Sequence, residues 1–158
     1  MKKSDLLRFH DGLVDVMHLG GVEFSYAVNL NYFAIRDQVA ALRKSIEPGE
    51  DYEAFERERL ELCKKHAKKD DKGKPMTIPI PGGIRYVFGD CVDLFEKQLT
   101  VLRKKHKSAI EAQEKREKDY AEILKQDFQF AVSMVKPEKC PKEITGAKMM
   151  AIWEMVEK

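Results

Sequence analysis

Three features of this sequence predict an α+β chain that is predominantly helical. Apolar residues recur at spacings of three and four over several long stretches, the pattern of helices with one buried face. Two shorter stretches switch to alternation, the pattern of strands. Glycine and proline gather between the stretches and are absent from Asp90 to Gln126. Together they imply an antiparallel long-helix hairpin or bundle, a small three-stranded antiparallel sheet and a C-terminal helix, in a single domain over residues 1–158. At 158 residues, 43% hydrophobic and 35% charged, such a chain can bury about 70% of its unfolded surface.

Taken in order, Ser4 is a suitable N-cap for a helix over residues 5–18, with Leu6, Leu7, His10, Leu13, Val14 and Met17 on one face and Gly20-Gly21 as its stop. Residues 22–67 read as a helical hairpin. Its first arm repeats Val28, Tyr32, Ile35, Val39, Leu42 and Ile46 at four and three, and Pro48-Gly49 ends it. Asp51 is a suitable cap for the second arm, which runs through Tyr52, Phe55, Arg59, Leu62 and His66. A connection this short makes the arms antiparallel neighbours. Lys64 to Lys74, with six lysines and two aspartates, then reads as a flexible solvated turn.

Residues 75–88 form a β-hairpin: Met76, Ile78 and Ile80 alternate, Pro81-Gly82-Gly83 turns, and Ile84, Tyr86 and Phe88 alternate again. Pro79 and Pro81 cannot donate to a ladder, so the first strand should be an edge strand or irregular. Residues 127–135 alternate most clearly, with Phe128, Phe130, Val132 and Met134 on one side. A two-stranded hairpin is marginal in water, so this strand is expected to join it. Thr145 caps a helix over residues 145–157 with Met149, Met150, Ile152, Trp153 and Val156 on its apolar face.

The organising element is a helix over residues 90–126, capped by Asp90 and Asp93. Its seam is Val92, Phe95, Leu99, Leu102, His106, Ala109, Gln113, Arg116, Tyr120 and Ile123, apolar at both ends and polar in the middle. Unbroken, it measures about 54 Å, longer than the roughly 40 Å breadth of a compact domain of this size. Part of it should therefore protrude or meet a partner, unless a kink near Ser108 intervenes. Polar stations in a seam trade stability for choice of partner and register. Arg103, His106, Gln113, Arg116 and Tyr120, together with Met149 and Trp153 of the last helix, are the expected interaction residues.

The formal charge is +2, from 29 basic and 27 acidic residues, and makes no global case for nucleic acid. No apolar run approaches the roughly 20 residues of a membrane span, so no membrane partner is expected. Cys63, Cys91 and Cys140 describe no disulfide framework and suit a reducing cytosol. His10, Asp11, Asp15 and His18, or Cys63 with His66, have ligand-type spacing but lack a completing set, so no metal is expected. There is no nucleophile elbow, glycine-rich phosphate loop, cysteine pair or two-histidine zinc motif. No enzyme activity, catalytic residue or cofactor is assigned.

In the order of its features the chain resembles a group of small bacteriophage and prophage proteins of unknown function. The resemblance spans about residues 26–156. It is carried by a helix hairpin ending in Lys69-Asp70-Asp71-Lys72-Gly73-Lys74, then Phe95 and Leu99 on a helix, the alternating Phe128 to Met134, a proline, and a last helix opened by Ile144-Thr145. It implies a phage gene product in the host bacterial cytoplasm or the virion and transfers no catalytic residue. The function expected is a non-enzymatic interaction or assembly protein acting through the long charged helix, self-associating or meeting a protein partner. The alternatives are a phage inhibitor of a host defence enzyme or nuclease, and a weak nucleic-acid binder using Lys64 to Lys74 and Arg103 to Lys107.

Overall fold

Helix forms wherever the three-and-four spacing runs on, and the computed structural model, which describes residues 1–157, is mostly helical. Its helices are α1 (Lys3–Val16), α2 (Val22–Ile46), α3 (Glu50–His66), α4 (Val92–Lys105), α5 (Lys107–Lys125) and α6 (Gly146–Ala151). A single hairpin of β1 (Thr77–Ile80) and β2 (Gly83–Tyr86) lies between α3 and α4. By their contacts the residues divide into two compact units. The terminal unit comprises Met1–Glu47 and the chain from Glu117 onward; the central unit is Pro48–Arg116.

In the terminal unit α1 packs on α2 and on α6. Of the expected α2 seam, Val28, Ile35, Val39 and Leu42 are buried and Tyr32 and Ile46 half-buried, and Phe24 is buried with them. That of α1 is rotated from the expected face: Leu6, Phe9, Leu13 and Val16 are buried while Val14 and Met17 are exposed. Both sets satisfy helical spacing, and the larger apolar area of Phe9 decides between them. No side chain caps α1, α3 or α4, whose N-caps are Lys2, Gly49 and Cys91 rather than the expected Ser4, Asp51 and Asp90. Thr145 does cap α6, its hydroxyl accepting from the Lys148 amide. Gly12 is where α1 meets α6: a Cβ there would stand 2.7 Å from the Ala151 Cβ. The apolar C-terminal stretch is not one helix. α6 stops at Ala151 and a 3-10 turn, Trp153–Met155, follows. The change of pitch buries Ile152, Met155 and Val156, half-buries Met149 and leaves Met150 and Trp153 exposed.

Residues 128–134 are extended but join no sheet, which corrects the expected three-stranded arrangement: β1 and β2 pair only with each other, from Thr77↔Tyr86 to Ile80↔Gly83. Other groups in the terminal unit claim the backbone of this segment. Phe128 N–H donates to Met1 O, Val135 N–H to Met155 O and Glu157 N–H to Val135 O. The fully buried Asn31 completes the set, its amide nitrogen donating to Ser133 O and its oxygen accepting from Ser133 N–H, both at 2.8 Å. One side chain thus satisfies the donor and acceptor that a neighbouring strand would have taken. Phe128, Phe130 and Val132 pack on the core, and beyond the Asn31 clamp the phase slips, so that Val135 is buried and Met134 exposed.

In the central unit α3 packs on α4. Within the two units the helix pairings are thus α1 with α2 and α3 with α4. The lysine-rich stretch is an organised turn rather than a loose one. Asp70 Oδ1 accepts from the amides of Lys72 and Lys74, Asp70 O accepts from Gly73 N–H, and Gly73 takes a positive φ of 76° that a side chain would strain. Its base is knitted to the hairpin, with Lys68 N–H donating to Val87 O and Met76 N–H to Lys68 O. The third segment beside the hairpin is therefore 67–69, not 127–135.

Candidate interaction surfaces

The expected unbroken rod is interrupted at His106, which separates α4 from α5 with φ −104° and ψ 22°. Helical bonding threads the interruption, from His106 N–H to Leu102 O and from Ile110 N–H to His106 O, both at 3.1 Å. Arg103, Lys104, Lys105 and Lys107 crowd this point. Like charges four apart weaken a helix, whereas cations at a helix end are favoured by its dipole, so a break here relieves the first and uses the second.

Within the central unit the polar middle of the seam meets α3. Antiparallel pairing is read from the contacts: His66 Nε2 donates to Gln98 Oε1 at 2.9 Å, the Phe55 and His106 rings lie 5.8 Å apart, and the Arg116 guanidinium stands over Gly49. Lys105 Nζ donates to both Glu58 oxygens at 2.8 Å and His106 Nε2 donates to one at 3.2 Å. The hydrogen bond from Lys105 does most to hold the Glu58 carboxyl below its ordinary value; partial desolvation opposes it and the His106 hydrogen bond adds to it. Acidic residues fill the first half of α3 and basic residues the end of α4, so the antiparallel register matches opposite charges.

The residues expected to meet an outside partner thus divide. His106 is largely covered by α3, and Gln113, 7% exposed, is buried where α5 passes the start of α3. Arg116 lines the same hollow and Arg103 an open one with Phe55 and Lys107. Tyr120 and Met149 are half-buried against the terminal core, and Trp153 is exposed. Arg103, His106, Gln113 and Arg116 belong to the central unit and Tyr120, Met149 and Trp153 to the terminal unit.

Two apolar surfaces are presented instead. Beside the α3–α4 seam runs a groove of about 710 Å³. Leu62, Leu102 and Val101, the last 68% exposed, give it an apolar floor, and Arg57, Glu58, Glu61, Lys65 and Lys105 give it charged rims. The other surface is a stripe on α2, where Val22, Tyr26, Leu30 and Phe33 are 89, 67, 41 and 56% exposed. At 100° per residue this stripe lies on the side of α2 opposite its buried seam. The signal was present in the sequence, since a helix apolar on two faces has more to cover than one core can take. Asn31, the polar position in an otherwise apolar seam, was equally visible.

Two of the three thiols are held back by burial. Burial pushes the Cys63 thiol above its ordinary value, against the nearby Arg59 cation, and burial raises that of Cys140 as well. Among the described residues no group of three or more His, Cys, Asp or Glu is placed to hold a metal ion, and no helix is long and apolar enough to cross a membrane. No protein-family model, no curated protein and no solved structure matches this chain.

Proposed function

We propose that the chain is a non-enzymatic protein-interaction module of phage type that takes an amphipathic helix of a protein partner in the groove between α3 and α4. The observation that carries this reading is the Leu62–Val101–Leu102 floor between charged rims, with Val101 left exposed. A third helix laid there would bury its apolar face on the floor and set its direction by the Glu58, Glu61, Lys65 and Lys105 charges. This keeps the long helix as the interacting element but moves the contact from the polar seam, which α3 occupies, to its α4 flank. The order of features shared with small phage and prophage proteins points to a phage structural protein or a host enzyme as the partner, in the host cytoplasm or the virion. Cross-linking through Lys65 and Lys105 in infected cells, followed by peptide sequencing, tests it. The expected result is a helical partner segment lost with Val101→Glu, and recovery of the same segment from that variant refutes the groove.

A second reading, weak binding of nucleic acid, is supported by one observation: the Asp70-centred turn holds Lys68, Lys69, Lys72 and Lys74 exposed together. It predicts affinity that falls steeply with salt. Absence of binding to duplex or single-stranded DNA and RNA at low salt ends it.

A further inference from the structure

Of the surfaces that the groove reading leaves unused, the α2 stripe sets four exposed apolar side chains along one helix face of the terminal unit. Val22, Tyr26, Leu30 and Phe33 follow one another along about 17 Å of helix. We infer that this stripe is the interface of a symmetric dimer, α2 packing antiparallel on α2 of a second copy.

Two observations select a second copy as the occupant. The first is spacing. Tyr26 and Phe33 lie equally far on either side of the point between Asn29 and Leu30. A two-fold axis through that point lays Tyr26 of each copy against Phe33 of the other, making two aromatic pairs from one sequence, with Leu30 near the axis. An isologous contact needs a patch that is complementary to itself when reversed, and in the same register Glu23 falls opposite Arg36. The second is area. Two rings more than half exposed, with Val22 and Leu30, offer roughly 450 Å² of apolar surface per copy, on the scale of 150–250 Å² for a whole buried aromatic side chain. Counted for both copies this is about 900 Å². Interfaces are a little over half apolar and stable ones bury about 1,600 Å² in total, so the stripe supplies the apolar share of a standard dimer. Polar groups stand ready as a rim: the Arg36 guanidinium lies 5.0 Å from the Phe33 ring and is paired with Asp37, while Glu23 pairs with Lys139.

The test is sedimentation equilibrium of the full chain from 1 to 200 µM. The expected mass rises from 18.3 kDa to twice that value. Tyr26→Glu and Phe33→Glu each weaken the dimer at least tenfold with unchanged far-ultraviolet circular dichroism, since both side chains are exposed in the monomer. Val101→Glu leaves the dimer intact, which separates this interface from the groove. With the three native cysteines replaced, Leu30→Cys is joined to its counterpart by a short bis-maleimide, while Val14→Cys is not. A mass of 18.3 kDa throughout, a dimer unmoved by both glutamate substitutions, or a dimer in which Leu30→Cys fails to cross-link overturns the proposal.

Discussion

The terminal and central units solve the burial problem differently. The terminal unit closes Leu6, Phe9, Leu13, Phe24, Val28 and Ile35 around a core that Ile152 and Met155 complete, all at 1% exposure or less. In the central unit the buried apolar residues are Phe55, Cys63 and Ala67, and the polar His66 and Gln113 share the seam with them. A fully buried Phe or Leu is worth about 1.5–3 kcal/mol. The first arrangement therefore draws its stability from its own core. The second relies on hydrogen bonds and matched charges between two helices and keeps apolar side chains at its surface. A region with few buried apolar contacts opens at lower free energy, and surfaces that meet partners are commonly drawn from such regions.

The comparison is most severely tested by paired truncations. Phe24→Ala leaves a cavity in the closed core and is expected to cost about 4 kcal/mol. Phe55→Ala, on a seam that can collapse toward solvent, should cost less, about 3 kcal/mol. The one tryptophan, Trp153, lies in the terminal unit and provides a local probe. Its fluorescence in urea should shift with Phe24→Ala far more than with Phe55→Ala, whereas amide exchange in α3 should respond to the latter. Equal shifts of Trp153 fluorescence would show that the units do not differ in the way described.

Next in size is Asn31→Ala. It removes both partners of the Ser133 backbone from a part-buried site, and an abandoned buried polar group costs about 1–3 kcal/mol. The loss should appear in the terminal unit, with faster exchange at Ser133 and Val135. A change below about 0.5 kcal/mol, the scale of an ordinary surface substitution, would mean that the 128–134 segment is held by its phenylalanines alone.

Legibility in the sequence follows the same division. The α2 seam was readable because its apolar residues are large, regularly spaced and answered by a core. In α1 two faces satisfied the spacing, and only the packing partner chooses Phe9 over Val14. The alternation at 127–135 predicted a third strand; the segment joins no sheet, because periodicity cannot show that an Asn side chain takes the place of a neighbouring strand. The long seam from Val92 to Ile123 was visible as a pattern. That α3 takes its middle, and that it turns at His106, depend on residues some fifty positions away in the chain. Of the interaction residues expected from sequence, Trp153 is exposed while His106 and Gln113 are used inside the chain. Both apolar surfaces lay outside the expected set because the reading followed each helix's strongest seam and not its second face.

Acid should separate the units by a smaller amount. At Asp11 partial burial pushes the carboxyl up, but hydrogen bonds from His10 and Arg43 outweigh it and leave the carboxyl below its ordinary value of 3.8; Glu58, held by Lys105 and His106, lies below 4.5. A depressed carboxylate contributes stability above its unfolded value and loses it as pH falls through the folded one. Both contributions are therefore intact at neutral pH and decline below about pH 4.5 for Glu58 and below about 4 for Asp11. Solvent screens both, and exposed pairs of this kind are small. Because the central unit has less core to fall back on, exchange in α3 should quicken on acidification before exchange in α2. Glu58→Gln should flatten that response, and an unaltered acid profile in this variant would remove Glu58 from the account.

The remaining test is chemical. Cys91 is exposed, Cys140 is half-buried in the terminal unit, and Cys63 is buried in α3 with its thiol pushed up by desolvation. Thiolate is the reacting form, so Cys63 is doubly protected, by cover and by protonation. At neutral pH iodoacetamide should modify Cys91 first and Cys63 last. The Cys63 rate then measures how often α3 parts from α4. If the central unit is the softer of the two, Val101→Glu should leave that rate unchanged because Val101 is exposed, whereas Phe55→Ala should raise it by an order of magnitude or more, since about 1.4 kcal/mol is already tenfold in an opening equilibrium. A Cys63 rate insensitive to Phe55→Ala would place the opening event elsewhere, and the seam between α3 and α4 would then be as firmly closed as the terminal core.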